Sequence, residues 1–246
     1  MATLFVSDLH LSPDRPRQVE LFLKFSAQAQ VRADALYILG DLFEMWLGDD
    51  DDTSPHKQIV DALGAISRAG VKLHVGRGNR DFLLGQRFAH RTGATLLQDY
   101  EIIDLYGERT LLTHGDLLCT KDIKYQRFRK FARSPLVRAA FLKIPLNFRR
   151  RIAFKTQSGT KASMRTKTDF VMDVDDDTVS NMMMKYKVKF LIHGHTHRPD
   201  IHDFHVDGAA YRRIVLGDWY EQDYVLVCDK SGARPTRVTE YLRKTA

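Results

Sequence analysis

Five short apolar runs, rich in β-branched and aromatic residues, recur along the chain at Thr3–Ser7, Leu36–Leu39, Val71–Val75, Thr110–Thr113 and Val188–Ile192, and each reads as a strand. Between them, Gln18–Ala29 and Lys57–Arg68 carry apolar residues at three- and four-residue spacing, the period of a helix with one buried face, and Gly70 stands where the second helix should stop. Strand and helix in alternation predict an α/β layered domain. Two further strand-like runs, Tyr211–Leu216 and Tyr224–Cys228, predict that the sheet continues or that a second sheet packs beside it. No internal repeat or low-complexity tract interrupts the pattern, and the acidic run Asp49–Asp52 reads as a solvated loop.

Potential metal ligands follow each of the five strands. The first runs into Asp8-Leu9-His10, the second into Gly40-Asp41, the third into Gly78-Asn79-Arg80-Asp81, the fourth into His114-Gly115-Asp116 and the fifth into His193-Gly194-His195-Thr196-His197. Loops at the carboxyl ends of strands in an α/β fold converge on one crevice, so five separated pieces can build one site. Asp8 and His10, two apart, would point the same way from an extended strand end, although an Asp–His hydrogen bond in a turn has the same sequence. Taken singly, Asp41 also reads as a helix cap, Asn79 as a turn residue and Arg80 as an ion-pair partner of Asp81. His195 and His197, alternating between Gly194 and Pro199, are the strongest pair, and His193 inside the strand reads as a core residue.

Charge and composition change the picture in one place. With 246 residues, 43% of them hydrophobic, the chain can bury a sizeable core. Its net charge of +7 is unevenly placed: residues 123–168 hold fourteen Lys or Arg and no acidic residue, whereas the rest carries 24 basic against 31 acidic groups. That segment interleaves its charges with Phe128, Phe131, Phe141 and Phe154, and Pro135 and Pro145 divide it into short helical pieces. It reads as a basic amphipathic helical hairpin suited to an anionic membrane surface, or as one docked by its Phe and Leu residues with Lys and Arg solvated. An early acidic residue at Asp8, no long apolar stretch, and only Cys119 and Cys228 predict a cytosolic protein without signal peptide, membrane span or disulfide.

Together, the ordered set D-x-H, G-D, G-N-x-D, H-G-D and G-H-x-H resembles the calcineurin-like metallophosphoesterase superfamily over nearly the whole chain. The resemblance implies a single domain spanning 1–246, a β-sandwich flanked by helices with a two-metal site at the strand ends. Within the superfamily the chain is similar to the UDP-2,3-diacylglucosamine hydrolases of the lipid A pathway, through Leu36–Glu44 with Trp46 and Gly48–Asp50, Gly78–Gly85 with Arg80 after Asn79, Thr113–Asp116 with Leu118–Thr120, and Leu191–Pro199. That branch carries a basic helical insertion where this chain has residues 123–168.

Carried over by position, the resemblance implies that Asp8, His10, Asp41 and His197 bind one Mn²⁺ and that Asp41, Asn79, His114 and His195 bind a second. A donor set of carboxylate, amide and imidazole without thiolate independently favours Mn²⁺. Water activated by the two ions would attack the α phosphorus of UDP-2,3-diacylglucosamine, with Asn79 and Arg80 as the catalytic contacts. Asn79, Arg80, Asp122, Thr160, Met164, Lys167 and His195 are the implied substrate contacts; the branch commonly has Ser and Asn where Thr160 and Met164 stand, and Thr160 preserves the hydroxyl. Phe128, Phe131, Phe141 and Phe154 are the implied acyl groove. A monomer on the cytoplasmic face of the inner membrane, without a nucleic-acid partner, is expected. The rivals are a metal-dependent nucleotide phosphodiesterase or dinucleotide polyphosphatase, and a nucleic-acid or membrane-binding module with a vestigial site.

Overall fold

The computed structural model describes residues 2–164 and 173–243, the side chains of 156–164 excepted. Among the described residues, one sheet of six strands holds β1 (Ala2–Val6), β2 (Ala33–Ile38), β3 (Lys72–Val75), β4 (Thr95–Leu96), β10 (Tyr224–Asp229) and β11 (Gly232–Arg237), in the order β11-β10-β1-β2-β3-β4. A second holds β5 (Glu101–Leu105), β6 (Glu108–Leu112), β7 (Phe190–His193), β8 (Asp200–Val206) and β9 (Ala209–Val215), in the order β5-β6-β7-β9-β8. The expected second sheet is therefore present. The five runs chosen from the sequence are β1, β2, β3, β6 and β7, displaced by at most three residues at an end.

The central strands β1, β2 and β3 pair in parallel, as do β6, β7 and β9, so their carboxyl ends lie on one side of each sheet. Strand alternation divides the core. In β1, Phe5 faces Leu39, Leu112 and Ile192 between the sheets, whereas Leu4 and Val6 face the helices outside the first sheet.

Helix α1 (Pro16–Arg32) begins with Pro at its first position, tolerated there because that N–H has no intrahelical partner. It buries Val19, Phe22, Phe25 and Ala29 on one face, and α2 (His56–Arg68) buries Ile59, Val60, Leu63 and Ile66 beside it. Each such fully buried aliphatic or aromatic side chain contributes ~1.5–3 kcal/mol over its exposed state. A short helix, α3 (Gln86–Thr92), follows the third ligand loop. On the outer face of the second sheet, Val179 and Met183 of α7 (Asp176–Tyr186) pack on Leu111 and Leu191. The last helix, α8 (Val238–Arg243), closes onto the first core through Val238 and Tyr241. No described helix is long and apolar enough to cross a membrane, and both cysteines are buried and in no disulfide.

Between β6 and α7 stand α4 (Ile123–Ala132), α5 (Pro135–Leu142) and α6 (Leu146–Met164), divided by Pro135 and Pro145. Their attachment departs from the reading in which Phe and Leu dock the segment. Arginines hold the segment down, while Phe128, Phe131, Leu136 and Phe148 are exposed. Arg129 binds Asp116 and Asp99, Arg133 binds Asp99 and the Gly78 carbonyl, and Arg149, 2% exposed, binds the Leu47 carbonyl and Asp50. The reason is composition: the body brings carboxylates and free carbonyls to this face, and a buried guanidinium demands such partners. Part of the segment's positive charge therefore meets the protein's own anions. Phe141 alone of the three phenylalanines in α4 and α5 packs against the main core.

The reading of Asp49–Asp52 as a solvated loop holds for the exposed Asp50 and Asp52 and fails for the half-buried Asp49 and the buried Asp51. Asp49 accepts from Trp46 Nε1 at 3.1 Å and from the Gly85 and Phe88 backbone at 3.0 Å, capping α3 from a distance. Asp51 is 4% exposed and binds Arg150, and Asp52 binds Arg91. An acidic run reads as solvated unless its distant basic partners are known.

Candidate metal centre

The ligand loops leave the strand ends abruptly. Asp8, His10, Asp41, His195 and His197 all have positive φ, between 47° and 73°. Asp8 and His10 are thus not an extended pair; each sits in the left-handed region, uncommon for residues with a Cβ and costing of order 1–3 kcal/mol. Backbone bonds hold the turns: Asp8 N–H donates to Gly40 O at 3.1 Å, His10 N–H to Asp41 O at 2.9 Å, and His195 N–H to Asp8 Oδ2 at 2.8 Å. No helix follows Asp41 until His56, so it is not a helix cap.

These turns bring the donors together. His10 Nε2 lies 3.8 Å from Asp8 Oδ1 and 3.6 Å from Asp41 Oδ2, and His197 Nε2 lies 3.2 Å from Asp8 Oδ1. His114 Nε2 lies 3.8 Å from Asp41 Oδ2 and 3.1 Å from Asn79 Oδ1. Among the described residues, two groups have donor atoms within 4.8 Å of one another, Asp8–His10–His197 and Asp8–Asp41–His114, and either could hold a cation. Asp8 belongs to both groups, and Asp41 Oδ2 lies within 3.8 Å of both His10 Nε2 and His114 Nε2. His195 is brought to the same place, its ring 5.0 Å from that of His114, but its ring nitrogens belong to neither group.

A divalent pair fits the residues present. Asp8 Oδ1 and His10 Nε2 are buried and make no hydrogen bond among the described residues, and an ion between them would supply the missing partner. Burial alone would raise the Asp8 carboxyl, but His197, His114 and His10 hold it well below the usual carboxylate range, so it is the ligating anion at neutral pH. Burial, with the neighbouring His114 adding to it, brings His195 down to about 4, leaving its imidazole neutral. His193 is the core residue expected, fully buried and brought to about 3 by the same cause.

Arg80 is half-buried at the edge of the cluster. Its N–H donates to Asp41 Oδ1 at 2.8 Å, and its Nε is buried without a hydrogen-bond partner among the described residues. The Arg80–Asp81 pair is not made. Asp81 accepts instead from the backbone of Gly78, Leu42 and Asp41 at 2.7, 2.8 and 3.3 Å, tying two ligand loops together. Its burial and the neighbouring Asp41 push it up to about 6.

Helix α4 borders the centre. The Tyr125 ring stacks 6.3 Å from His195, and its hydroxyl donates to Asp116 Oδ2 at 2.6 Å. Asp122 caps the helix, accepting from Tyr125 N–H at 3.1 Å. Phe128, Phe131 and Phe154 are exposed, apart from Phe141 on the core. Lys167 lies outside the described residues, and so do the side chains of Thr160 and Met164. Sequence reasoning gave Asp81 only a pairing with Arg80 and left Asp116, Tyr125, Arg129, Arg133 and Asp218 without a role. Asp81 and Asp116 were visible inside ligand motifs, but the others carry no local signal.

Comparison with known proteins gives the same picture. The chain is 50% identical to the UDP-2,3-diacylglucosamine hydrolase of Aeromonas hydrophila subsp. hydrophila, over 93% of this chain and 95% of that one. It is 48% identical to that of Vibrio vulnificus strain YJ016, over 94% and 96%, and 47% identical to that of Salmonella typhi, over 90% and 92%. Residues 1–199 match the family described as calcineurin-like phosphoesterase, and with the five ligand loops converging at the strand ends, the chain belongs to that family.

Proposed function

We propose that this chain hydrolyses the pyrophosphate bond of UDP-2,3-diacylglucosamine to UMP and 2,3-diacylglucosamine 1-phosphate, a step of lipid A biosynthesis, with two Mn²⁺ ions at the cluster described above. The observation that carries the reading is the convergence of buried, mutually facing carboxylates and imidazoles in a chain half identical to proteins of that name. Asp8, His10, Asp41 and His197 would hold one ion, and Asp41, Asn79, His114 and His195 the other. When bound, such a pair neutralises phosphoryl oxygens and lowers the pKa of water to generate the nucleophile.

The chain's own groups do the rest. Arg80, its Nε free to donate, grips diphosphate oxygens as charge builds on them, and the Asn79 amide and His195 orient the α phosphate. The leaving group is itself a phosphate and departs without a general acid. Residues 123–168 act as a cap within a single domain. Asp122, Thr160, Met164 and Lys167 serve the nucleotide side, and Phe128, Phe131 and Phe154 receive the acyl chains, where each buried CH₂ contributes ~0.8 kcal/mol. The monomer works at the cytoplasmic face of the inner membrane, held there by the same exposed basic and apolar surface.

The test compares hydrolysis of UDP-2,3-diacylglucosamine, UDP-N-acetylglucosamine and a dinucleotide polyphosphate in chelator and after Mn²⁺ is restored. Turnover of the diacylated substrate alone, and only with metal, is expected. Equal turnover of the soluble nucleotides would replace this reading with that of a general nucleotide phosphodiesterase.

A further inference from the structure

We infer that Glu44 and Asp218 are positioning residues for His10 and His197, and that the ion position these two imidazoles share is tighter than the one served by His114. The inference rests on the two-ion reading above.

An imidazole that ligates through one nitrogen carries its proton on the other, and the group facing that proton sets its tautomer, its orientation and its strength as a donor. His10 and His197 both turn Nε2 inward, towards Asp8. Their outward Nδ1 atoms both face a carboxylate at ion-pair distance, without a closed hydrogen bond: His10 Nδ1 lies 3.1 Å from Glu44 Oε2, and His197 Nδ1 lies 3.5 Å from Asp218 Oδ2. His114 also turns Nε2 inward, but its Nδ1 lies 3.0 Å from a neutral acceptor, the Leu39 carbonyl. A carboxylate draws the Nδ1 proton more strongly than a carbonyl does and leaves a more basic Nε2. Of the three imidazoles whose outward nitrogen has a recorded neighbour, the two that face carboxylates thus share one ion position, and His114, which faces a carbonyl, serves the other.

Both carboxylates are themselves held in place. Asp218 Oδ1 accepts from the backbone N–H of Tyr220 and Glu221 at 2.8 and 3.0 Å, which turns Oδ2 to His197. Glu44 Oε2 accepts from the Tyr220 hydroxyl at 3.2 Å, with Arg15 Nη1 4.0 Å away. The Tyr220 ring stacks on His10 at 5.1 Å, and the Arg15 guanidinium lies 3.5 Å from the centre of that ring. One short stretch after β9, Asp218 to Tyr220, thus supports both imidazoles, His197 directly and His10 through Glu44.

The test titrates Mn²⁺ into the metal-free full chain by calorimetry, with no substrate present. The unmodified protein should take up two ions in two resolved steps. Glu44→Gln and Asp218→Asn should each weaken one step by about 10- to 100-fold and leave the other unchanged, whereas Asn79→Ala should weaken the other. Tyr220→Phe removes only the hydroxyl on Glu44 and should move the same step as Glu44→Gln by a smaller factor, guarding against a variant that fails to fold. Equal steps in the unmodified protein, or a Glu44→Gln chain that binds as tightly as the original or loosens both ions alike, overturns the inference. Uptake of a single ion would overturn the two-ion reading instead; the positioning role would then stand or fall on whether Glu44→Gln weakens that ion.

Discussion

Asp41 is a strained residue whose neighbours leave it no room to relax. Asp41 has φ of 51° and is held by Asp81, which accepts from its N–H and from those of Leu42 and Gly78. Gly78 presses on it from the other side: a Cβ there would run into the Asp41 carboxylate and backbone nitrogen, neither of which can yield cheaply. Asp41→Ala should therefore lose both ions and lower turnover by more than about 100-fold, since even outer contacts to ligands are worth 10- to 100-fold. Metal content and turnover check this together, and an active variant holding two ions would show that Asp41 is not shared. Gly78→Ala should move both in the same direction, less completely, through displacement of Asp41 alone. The donors were legible in the sequence because residue type and strand-end position are local properties. Their left-handed backbones were not, because an Asp or His adopts that conformation only when distant groups such as Asp81 enforce it.

Among the elements, α4 shows how an amphipathic pattern can be read backwards. Its spacing sorts Tyr125, Gln126 and Arg129 onto one face and Lys124, Phe128 and Phe131 onto another, and a buried apolar face is the ordinary expectation. Here the polar face is docked. Asp116, 1% exposed, accepts from Tyr125 at 2.6 Å and Arg129 at 2.7 Å, and its own carbonyl accepts from Gln126 at 2.7 Å. Since Asp116 is two residues from His114, this one carboxylate fastens the helix beside the metal centre. Burial alone would raise it, but His114, Arg133 and Arg129 hold it well below the usual range. A lowered folded pKa means its contribution is complete above the unfolded value of about 3.9 and is lost as pH falls from there towards the folded value. Docking of α4 should thus be unchanged from about pH 8 to 5 and fail only in stronger acid. Asp116→Asn should produce the loss at neutral pH, costing about 1.5–3 kcal/mol because Arg129 keeps Asp99 but loses its buried charged acceptor. Denaturant midpoints and amide exchange in α4 measure it; exchange unchanged in the variant would place the anchor elsewhere.

Over the whole molecule, legibility followed burial. The parallel strands at the centre are continuous apolar runs because both of their faces are covered. The edge strands β8 and β11 are half exposed and carry Asp200, Asp203 and Pro235, so no apolar run marks them. Charge behaves alike: the sequence shows an excess of positive charge in residues 123–168, but not which of those groups the body consumes. Arg129, Arg133, Arg149 and Arg150 are taken by Asp116, Asp99, Asp50 and Asp51. Lys124, Arg127, Lys130, Lys143 and Arg151 stay exposed, beside the exposed Phe128, Phe131, Leu136 and Phe148. Cations near an anionic bilayer contribute ~1 kcal/mol each and are screened within a Debye length of ~10 Å at 0.1 M salt, whereas inserted rings are not screened. The full chain should therefore bind vesicles containing phosphatidylglycerol more tightly than vesicles of phosphatidylcholine, and 0.5 M salt should abolish most of the difference. Phe128→Ser with Phe131→Ser should weaken binding at either salt concentration by about 10-fold or more, from ~1.5–3 kcal/mol of burial lost per ring. Co-sedimentation with the two vesicle types decides it: binding indifferent to lipid charge and to both substitutions would remove this face from the membrane and leave its phenylalanines to the acyl chains alone.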